Sequence, residues 1–161
     1  LTLLAGLAAR QALGPSVLLD WPNDLVIGDR KVGGLLTEAA DGVAVFGLGA
    51  NVWWPDPPQG VASLRDTDPG GATAVELAEA FAAGVLERLA GGPESWGRQE
   101  YIAVCATVGD SVVWEGGRGK AVDIADDGAL VVETHAGLVA LHSSEVERIR
   151  RSTVPPMRET S

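Results

Sequence analysis

Hydrophobic residues in the first third of the chain form three short runs, and turn residues separate each run from the next. Residues 25–28 and 31–38 predict the two strands of a hairpin joined at Asp29-Arg30. Residues 43–50 predict a third strand, because the Asp41-Gly42 dipeptide before it is typical of a tight hairpin turn. The pattern therefore indicates consecutive β-hairpins.

Glycines interrupt two of these predicted strands. Gly33 and Gly34 stand inside the second strand, where a glycine pair indicates a bulge or a ligand that lies against bare backbone. The third strand ends in the pattern Gly-x-Gly-x-Asn over residues 47–51, which permits close approach of a ligand. The dinucleotide pattern G-x-G-x-x-G is not completed, because Val52 and Trp53 follow. Rigid apolar strands with a few polar groups at their ends are typical of a small-molecule site; those groups are Asn23, Asp24, Lys31 and Asn51.

Helical patterns lie on both sides of these strands. Residues 1–13 predict a buried helix that Gly14-Pro15 ends, and no charged leading segment marks them as a signal peptide. Thr73 and Glu76 have the spacing of a capping box, which predicts a helix through Ala90 with a broad apolar face. A shorter helix is predicted at residues 94–103, and a long loop at residues 52–71.

The last third of the chain contains short apolar runs separated by tight turn signals. These runs predict five strands, at residues 111–115, 120–124, 129–133, 138–142 and 147–150. Five short strands with tight turns are typical of a small barrel. Residues 152–161, with Pro155-Pro156, predict a disordered tail.

Composition excludes several classes of protein. The chain has 161 residues, which suits one domain with a small appendage. Its net charge of −10 argues against broad electrostatic binding to nucleic acid or to an anionic membrane, and no apolar run reaches the ~20 residues of a membrane span. Cys105 is the sole cysteine, so the sequence predicts no disulfide framework and no multi-cysteine metal site. It predicts a cytoplasmic location.

Three motifs resemble the catalytic core of the biotin–protein ligases: Trp21-Pro22-Asn23-Asp24, residues 30–38 and Gly47-Leu48-Gly49-Ala50-Asn51. They stand in the family's order and close to its spacing. The resemblance implies an α+β fold, with a mixed sheet and packing helices like those of class II synthetases, followed by a small SH3-like β-barrel. It assigns residues 1–103 to the catalytic domain and residues 104–151 to the barrel.

The resemblance also implies a reaction and a site. Biotin and ATP would give biotinyl-AMP, and biotin would then pass to a lysine of a biotin carboxyl carrier domain of acetyl-CoA carboxylase or a related carboxylase. Mg²⁺ is expected with ATP, although no cluster of metal ligands marks its protein contacts. Lys31 matches the catalytic lysine. The implied substrate-binding residues are Asn23, Asp24, Gly33, Gly34, Gly47, Gly49, Asn51 and Arg150.

The chemistry explains why a lysine is wanted in such a site. A carboxylate that attacks a phosphate brings two anions together, and a fixed ammonium between them offsets their repulsion. Simpler interpretations stay open at this point. Lys31 could be an exposed lysine beside a turn, Asn23 and Asn51 could be turn residues that bond locally, and Arg150 could charge an edge strand.

Two departures from the family pattern affect the prediction. The family's upstream glycine- and arginine-rich loop has no counterpart here, and the chain does not begin with Met, so we expect a fragment that holds only part of an active site. Asp20 stands where the family usually carries a basic residue before Trp-Pro-Asn-Asp. The alternative is therefore a truncated, non-catalytic remnant that binds nucleotide or a carrier domain only. A DNA-binding regulator is a third class, and no such domain is visible.

Overall fold

The chain folds into two compact units, each of which combines its own strands around its own core. A computed structural model describes residues 1–92 and 95–143, together with the backbone of residues 150–152. The first unit spans Leu1–Cys105, and the second begins at Ala106. The helices are α1 (Thr2–Leu13), α2 (Gly71–Ala90) and α3 (Arg98–Val104), and the strands are β1 (Leu18–Asp20), β2 (Asp24–Ile27), β3 (Arg30–Ala40), β4 (Val43–Ala50), β5 (Ser111–Trp114), β6 (Gly117–Ile124), β7 (Leu130–Thr134), β8 (Gly137–Leu141) and β9 (Arg150–Ser152). The predicted α+β class is confirmed.

The first unit contains a four-stranded sheet in the order β1-β2-β3-β4. All three neighbouring pairs are antiparallel, so the predicted hairpins are confirmed and the predicted mixed sheet is wrong for these strands. Parallel pairing occurs in the described residues only as isolated bridges, such as Leu19 to Cys105. The β3–β4 turn follows the sequence closely, because Asp41 and Gly42 both adopt positive φ angles of 52° and 77°.

A β-bulge shifts the register between β2 and β3. Leu25 pairs with Gly33, whereas the next residue, Val26, pairs with Lys31, so Val32 is the extra residue. Val32 and Gly33 are both buried, and Lys31 is exposed. The extra residue therefore places Lys31 and Gly34 on the same face of the sheet, although they are three positions apart in the sequence. The bulge predicted from the glycine pair is confirmed.

Helix α1 is buried on nearly every side, as the sequence predicts. Its leucines, alanines and Gly6 are mostly buried, and Leu4 is only 2% exposed. Gly14 ends the helix with a φ of 116°, a conformation that favours glycine. This apolar helix supplies much of the core behind the sheet.

Helix α2 begins earlier than its sequence pattern indicates. Its N-cap is Gly70, and no side chain caps it, so the predicted capping box is wrong. Asp68 Oδ1 instead accepts a hydrogen bond of 2.8 Å from the backbone N–H of Gly70, and the hydroxyl of Thr73 donates to the carbonyl of Pro69. The local Asp-Pro-Gly turn therefore starts the helix, and Thr73 already lies within it.

Helix α2 buries a narrower stripe than its apolar sequence predicts. Only Phe81, Gly84 and Val85 are buried, whereas Leu86 is 68% exposed. Gly84 faces Ala8 of α1, and a Cβ built at this glycine would lie 3.3 Å from the Ala8 Cβ. The two helices therefore approach closely at a pair of small residues.

Substituting Leu for Gly84 is expected to destabilise the first unit by about 1–3 kcal/mol, because the added side chain must displace α1 or α2. Urea denaturation followed by circular dichroism would measure this loss. Gly71→Leu is the matched control, because a Cβ at Gly71 meets nothing within 4 Å. Equal stability of the two variants would contradict this close helix contact.

Helix α3 is tied to α2 by an ion pair. Arg88 donates to both carboxylate oxygens of Glu100, at 2.9 and 2.8 Å. This hydrogen bonding holds the pKa of Glu100 below its usual value, so the stability that the pair contributes is lost as the pH falls through that pKa. Tyr101 is buried next to it and meets Trp96 edge-on at 5.9 Å. The helix starts at Arg98, later than predicted; residues 93 and 94 lie outside the described residues.

The second unit contains a five-stranded antiparallel sheet in the order β8-β7-β6-β5-β9. Its core is formed by the buried side chains Val112, Ala121, Ile124, Leu130 and Val132. The predicted barrel is not confirmed, because β8 and β9 are the two edges of this sheet and no pairing closes it among the described strands. The last predicted strand, at residues 147–150, lies largely outside the described residues, as do residues 153–161 of the predicted tail.

Candidate functional site

A cavity of about 620 Å³ lies on one face of the first sheet. Eight of its twelve lining residues belong to the predicted site: Asn23, Asp24, Lys31, Gly33, Gly34, Gly47, Gly49 and Asn51. The four others are Leu35, Leu36, Trp54 and Val61. Residues from three separate motifs thus meet in one concave surface, as the sequence predicts for a small-molecule site.

Glycines form the floor of this cavity. Strand pairing places Asp24, Gly34 and Gly49 side by side on β2, β3 and β4. It also places Gly47 of β4 beside Leu36 of β3. A Cβ at Gly34 would lie 3.3 Å from Asp24 Oδ1 and 3.8 Å from the Cε of Lys31. Any side chain at Gly34 would therefore intrude between the charged groups and the floor.

Gly33 serves a different purpose from its neighbour. A Cβ at this position would collide with the carbonyl oxygen of Gly49 on the adjacent strand. The close approach that the glycine pair predicts is thus partly an approach of β4 to β3, and a ligand is not needed to explain Gly33.

Lys31 and Asp24 form the charged end of the cavity. Lys31 Nζ donates to Asp24 Oδ1 at 2.6 Å, and the two side chains are 52% and 37% exposed. Among the lining residues that the structure describes, Lys31 is the one cation and Asp24 the one anion. An exposed pair of this kind contributes only ~0.2–1 kcal/mol. An incoming phosphate or carboxylate can therefore take the ammonium from Asp24 at little cost.

The backbone of Lys31 is held by the loop that follows β4. Lys31 N–H donates to the carbonyl of Gly60, and Ala62 N–H donates to the carbonyl of Lys31, both at 2.8 Å. Val61 therefore lies beside Lys31 as a single parallel bridge and lines the cavity. Sequence reasoning missed this contact, although Pro58 and Gly60 are turn signals that could have indicated a return of the chain.

The two asparagines of the site bind across the structure and not to their own turns. Asn23 Nδ2 donates to the backbone carbonyl of Leu35 at 2.9 Å, and the backbone carbonyl of Asn23 accepts from the N–H of Leu35 at 2.8 Å. Asn51 Nδ2 donates to the carbonyl of Ala62 at 3.1 Å. Neither side chain therefore makes the local bond that the simpler interpretation expects, although Asn23 itself lies in a turn.

Three further residues of interest occupy different positions. Trp54 lines the cavity and is 45% exposed. Asp20 is half-buried at the end of β1, where Asp24 is its partner in the pairing register, and it does not line the cavity. Arg150 is the first residue of β9 and pairs with Val113 in the second unit, so its role near a nucleotide stays a prediction.

The described part of the chain offers no ready metal centre. Within residues 1–92 and 95–143, no group of three or more His, Cys, Asp or Glu residues is arranged to hold a metal ion. None of the helices in these same residues combines the length and the apolar character that crossing a membrane requires.

Known proteins share this arrangement of an antiparallel sheet followed by a small all-β unit. A sequence profile described as the Biotin protein ligase C terminal domain matches residues 107–148. Together with the relatives below, this match confirms the predicted relationship: the chain is related to the biotin protein ligases, which are ligase enzymes.

The individual relatives extend the similarity over most of the chain. A biotin–[acetyl-CoA-carboxylase] ligase of Mycobacterium tuberculosis is 28% identical over an alignment of 174 positions that covers 93% of this chain and 62% of that protein. The biotin protein ligase from Aquifex aeolicus, solved in complex with biotin and ATP, shares the fold with a TM-score of 0.76 at 23% identity, over 94% of this chain and 71% of that one. A biotin protein ligase-like protein of unknown function from Silicibacter aligns at 22% identity with a TM-score of 0.64, over 87% and 69% of the two chains. The chain thus spans about three fifths of the curated relative.

Proposed function

We propose that this chain supplies part of the catalytic site of a biotin protein ligase. The enzyme would condense biotin with ATP to biotinyl-5′-AMP and pyrophosphate, and would then transfer biotin to a lysine of a carboxylase carrier domain. The observation that carries the proposal is the cavity that joins the Lys31 ammonium to the strand end of Gly47, Gly49 and Asn51. The relative named as a complex with biotin and ATP supports both substrates.

Lys31 has the charge and the position that the first step requires. In that step, a carboxylate oxygen of biotin bonds to the α-phosphorus of ATP, and the bond to the pyrophosphate oxygen breaks. The ammonium of Lys31 would offset the repulsion between the two anions and would stabilise the charge that develops on the phosphoryl oxygens. Asp24 would orient the ammonium beforehand through its 2.6 Å hydrogen bond. Mg²⁺ would enter as the complex of ATP.

The glycine floor suits the shape of the intermediate. Gly34, Gly47 and Gly49 place backbone where side chains would otherwise stand, so a flat ring system can lie directly against the sheet. In the second step, the amine of the carrier lysine attacks the carbonyl carbon of biotinyl-AMP, an amide forms, and AMP leaves. Asn23 and Asn51 would hold the walls of the cavity in place during both steps.

A second function is favoured by one observation: one structural neighbour is called a biotin protein ligase-like protein of unknown function. A protein that binds nucleotide or a carrier domain without catalysis would use the same cavity. Such a protein would bind biotinyl-5′-AMP but would release no pyrophosphate from biotin and ATP.

Calorimetry with biotinyl-5′-AMP tests the proposal. The chain is expected to bind it, and Gly34→Leu is expected to weaken binding at least about tenfold, or about 1.4 kcal/mol, because the new side chain fills the floor. Ala39→Leu adds a similar side chain to an exposed position of the same strand outside the cavity and should bind like the wild type. If the wild-type chain does not bind the adenylate, the proposal is refuted. Pyrophosphate release from biotin and ATP by the enzyme that contains this chain then distinguishes the ligase from the non-catalytic alternative.

A further inference from the structure

Trp54 is the one aromatic residue among the described residues that line the cavity. It is 45% exposed, so a large part of this apolar residue meets solvent in the free chain. An aromatic side chain in the wall of a cavity offers a flat apolar area that a bound ring system can cover. Trp54 is thus suited to contact with a ligand.

The backbone that leads into Trp54 is held by contacts that need no side chain. The N–H of Arg65 donates to the carbonyl of Val52 at 3.0 Å, and Trp53 forms an isolated parallel bridge with Arg65. The start of the loop is therefore fixed by backbone pairing as far as Trp53. The indole of Trp54 follows directly, so it has a defined place and is not required to hold the loop.

We propose that Trp54 stacks on the purine base of the bound nucleotide and covers the face of the base that is turned away from the glycine floor. The proposal rests on the proposed function for the identity of the nucleotide. Gly34, Gly47 and Gly49 belong to the sheet, whereas Trp54 belongs to the loop after β4, and all four line the same cavity. A flat ring between them would have backbone against one face and an indole against the other.

The chemistry of the two substrates favours the base over biotin as the partner of Trp54. A purine is flat and aromatic, and every nucleobase has a π face that can stack on an aromatic side chain. The ring system of biotin is saturated apart from its urea group, so it presents no aromatic face. Stacking does not read the edge of a base, so Trp54 would add affinity for any purine nucleotide without distinguishing adenine from guanine.

Calorimetry with a pair of ligands tests the stacking. With biotinyl-5′-AMP, Trp54→Ala is expected to weaken binding about tenfold, because the base loses its aromatic partner. With biotinyl-5′-phosphoribose, which lacks the base, the same substitution should weaken binding by less than about twofold, because the effect passes through the base. Equal losses for the two ligands would mean that Trp54 does not act on the base, and the inference would be wrong.

Two further variants separate stacking from damage to the loop. Trp53→Ala is the matched control, because Trp53 is adjacent and 40% exposed but does not line the cavity. It should bind biotinyl-5′-AMP within about twofold of the wild type. Trp54→Phe keeps an aromatic ring and should bind within about threefold of the wild type. A Trp54→Phe variant as weak as Trp54→Ala, or equal losses in the two alanine variants, would contradict stacking.

Fluorine NMR of the chain labelled with fluorotryptophan separates this inference from the proposed function. Millimolar AMP is expected to shift the resonance of Trp54, which is identified by its loss in Trp54→Phe, and to leave that of Trp53 in place. If the wild-type chain binds no biotinyl-5′-AMP, the proposed function fails, and the titration with AMP alone decides whether Trp54 takes a purine. An unmoved Trp54 resonance would overturn the inference, whatever the chain does with biotin.

Discussion

Replacement of Lys31 with Ala is expected to lower the rate of biotin- and ATP-dependent pyrophosphate release by about 10²–10³-fold in the enzyme that contains this chain. The variant removes the one positive charge among the described residues that line the cavity. Because the charge matters most where new anionic oxygens develop, kcat should fall more than KM rises. Steady-state measurement of pyrophosphate release at saturating and limiting ATP would separate these two effects.

The adjacent Arg30 supplies the matched control for this experiment. Arg30 is exposed, carries the same charge on the same strand and does not line the cavity. Arg30→Ala should therefore keep the rate within about twofold, since an exposed charge outside the cavity is largely screened by solvent and salt. A Lys31→Ala enzyme of near-normal rate would remove Lys31 from the mechanism, and equal losses in both variants would point to general electrostatic attraction of ATP.

Replacement of Leu25 with Ala is expected to destabilise the first unit by about 2–5 kcal/mol, because the lost side chain leaves a cavity in the core. Leu25 is 0% exposed and lies in β2 between Leu19 of β1 and Gly33 of β3. Its backbone neighbour Asp24 holds Lys31, so the buried side chain supports the strand from which the charged pair projects. Urea denaturation followed by tryptophan fluorescence would measure the loss.

The same substitution on an exposed leucine provides the comparison. Leu86 in α2 is 68% exposed, and Leu86→Ala should change the free energy of unfolding by less than about 0.5 kcal/mol. Both variants remove the same atoms, so the difference between them reports mainly burial, with a smaller part from the preference of alanine for helix over strand. A Leu25→Ala variant as stable as Leu86→Ala would show that β2 is not packed against the core.

The hairpins and the composition of the cavity could be predicted from the sequence, because local signals specify them. Asp41-Gly42 has the backbone preferences of its turn, and the glycine pair in β3 accompanies the bulge. The motifs that contain Asp24, Lys31 and Asn51 come together because antiparallel pairing aligns neighbouring strands, and that alignment follows from their order in the chain.

Features that depend on distant contacts could not be predicted in the same way. Gly60 and Ala62 lie beside Lys31 because their backbone groups form hydrogen bonds with its backbone. Backbone hydrogen bonds require few particular side chains, so the sequence does not indicate them. The predicted start of α2 is wrong because Asp68 accepts a hydrogen bond from the backbone N–H of Gly70, so the helix begins before the capping box at Thr73. The closure of a sheet depends on pairing between its first and last strands, which short apolar runs do not specify.

The bulge at Val32 has a consequence for how this chain could change over time. Alternation along a strand has a period of two, so a β3 of the same length that paired regularly with β2 would place Lys31 and Gly34 on opposite sides of the sheet. Such a strand would keep its hairpins and its glycine floor and have no ammonium above them. Loss of Val32 together with the bulge would instead leave Lys31 two positions from Gly34 and on the same side as the floor, so the number of residues between them and the pairing of the strand have to be compared together in related chains.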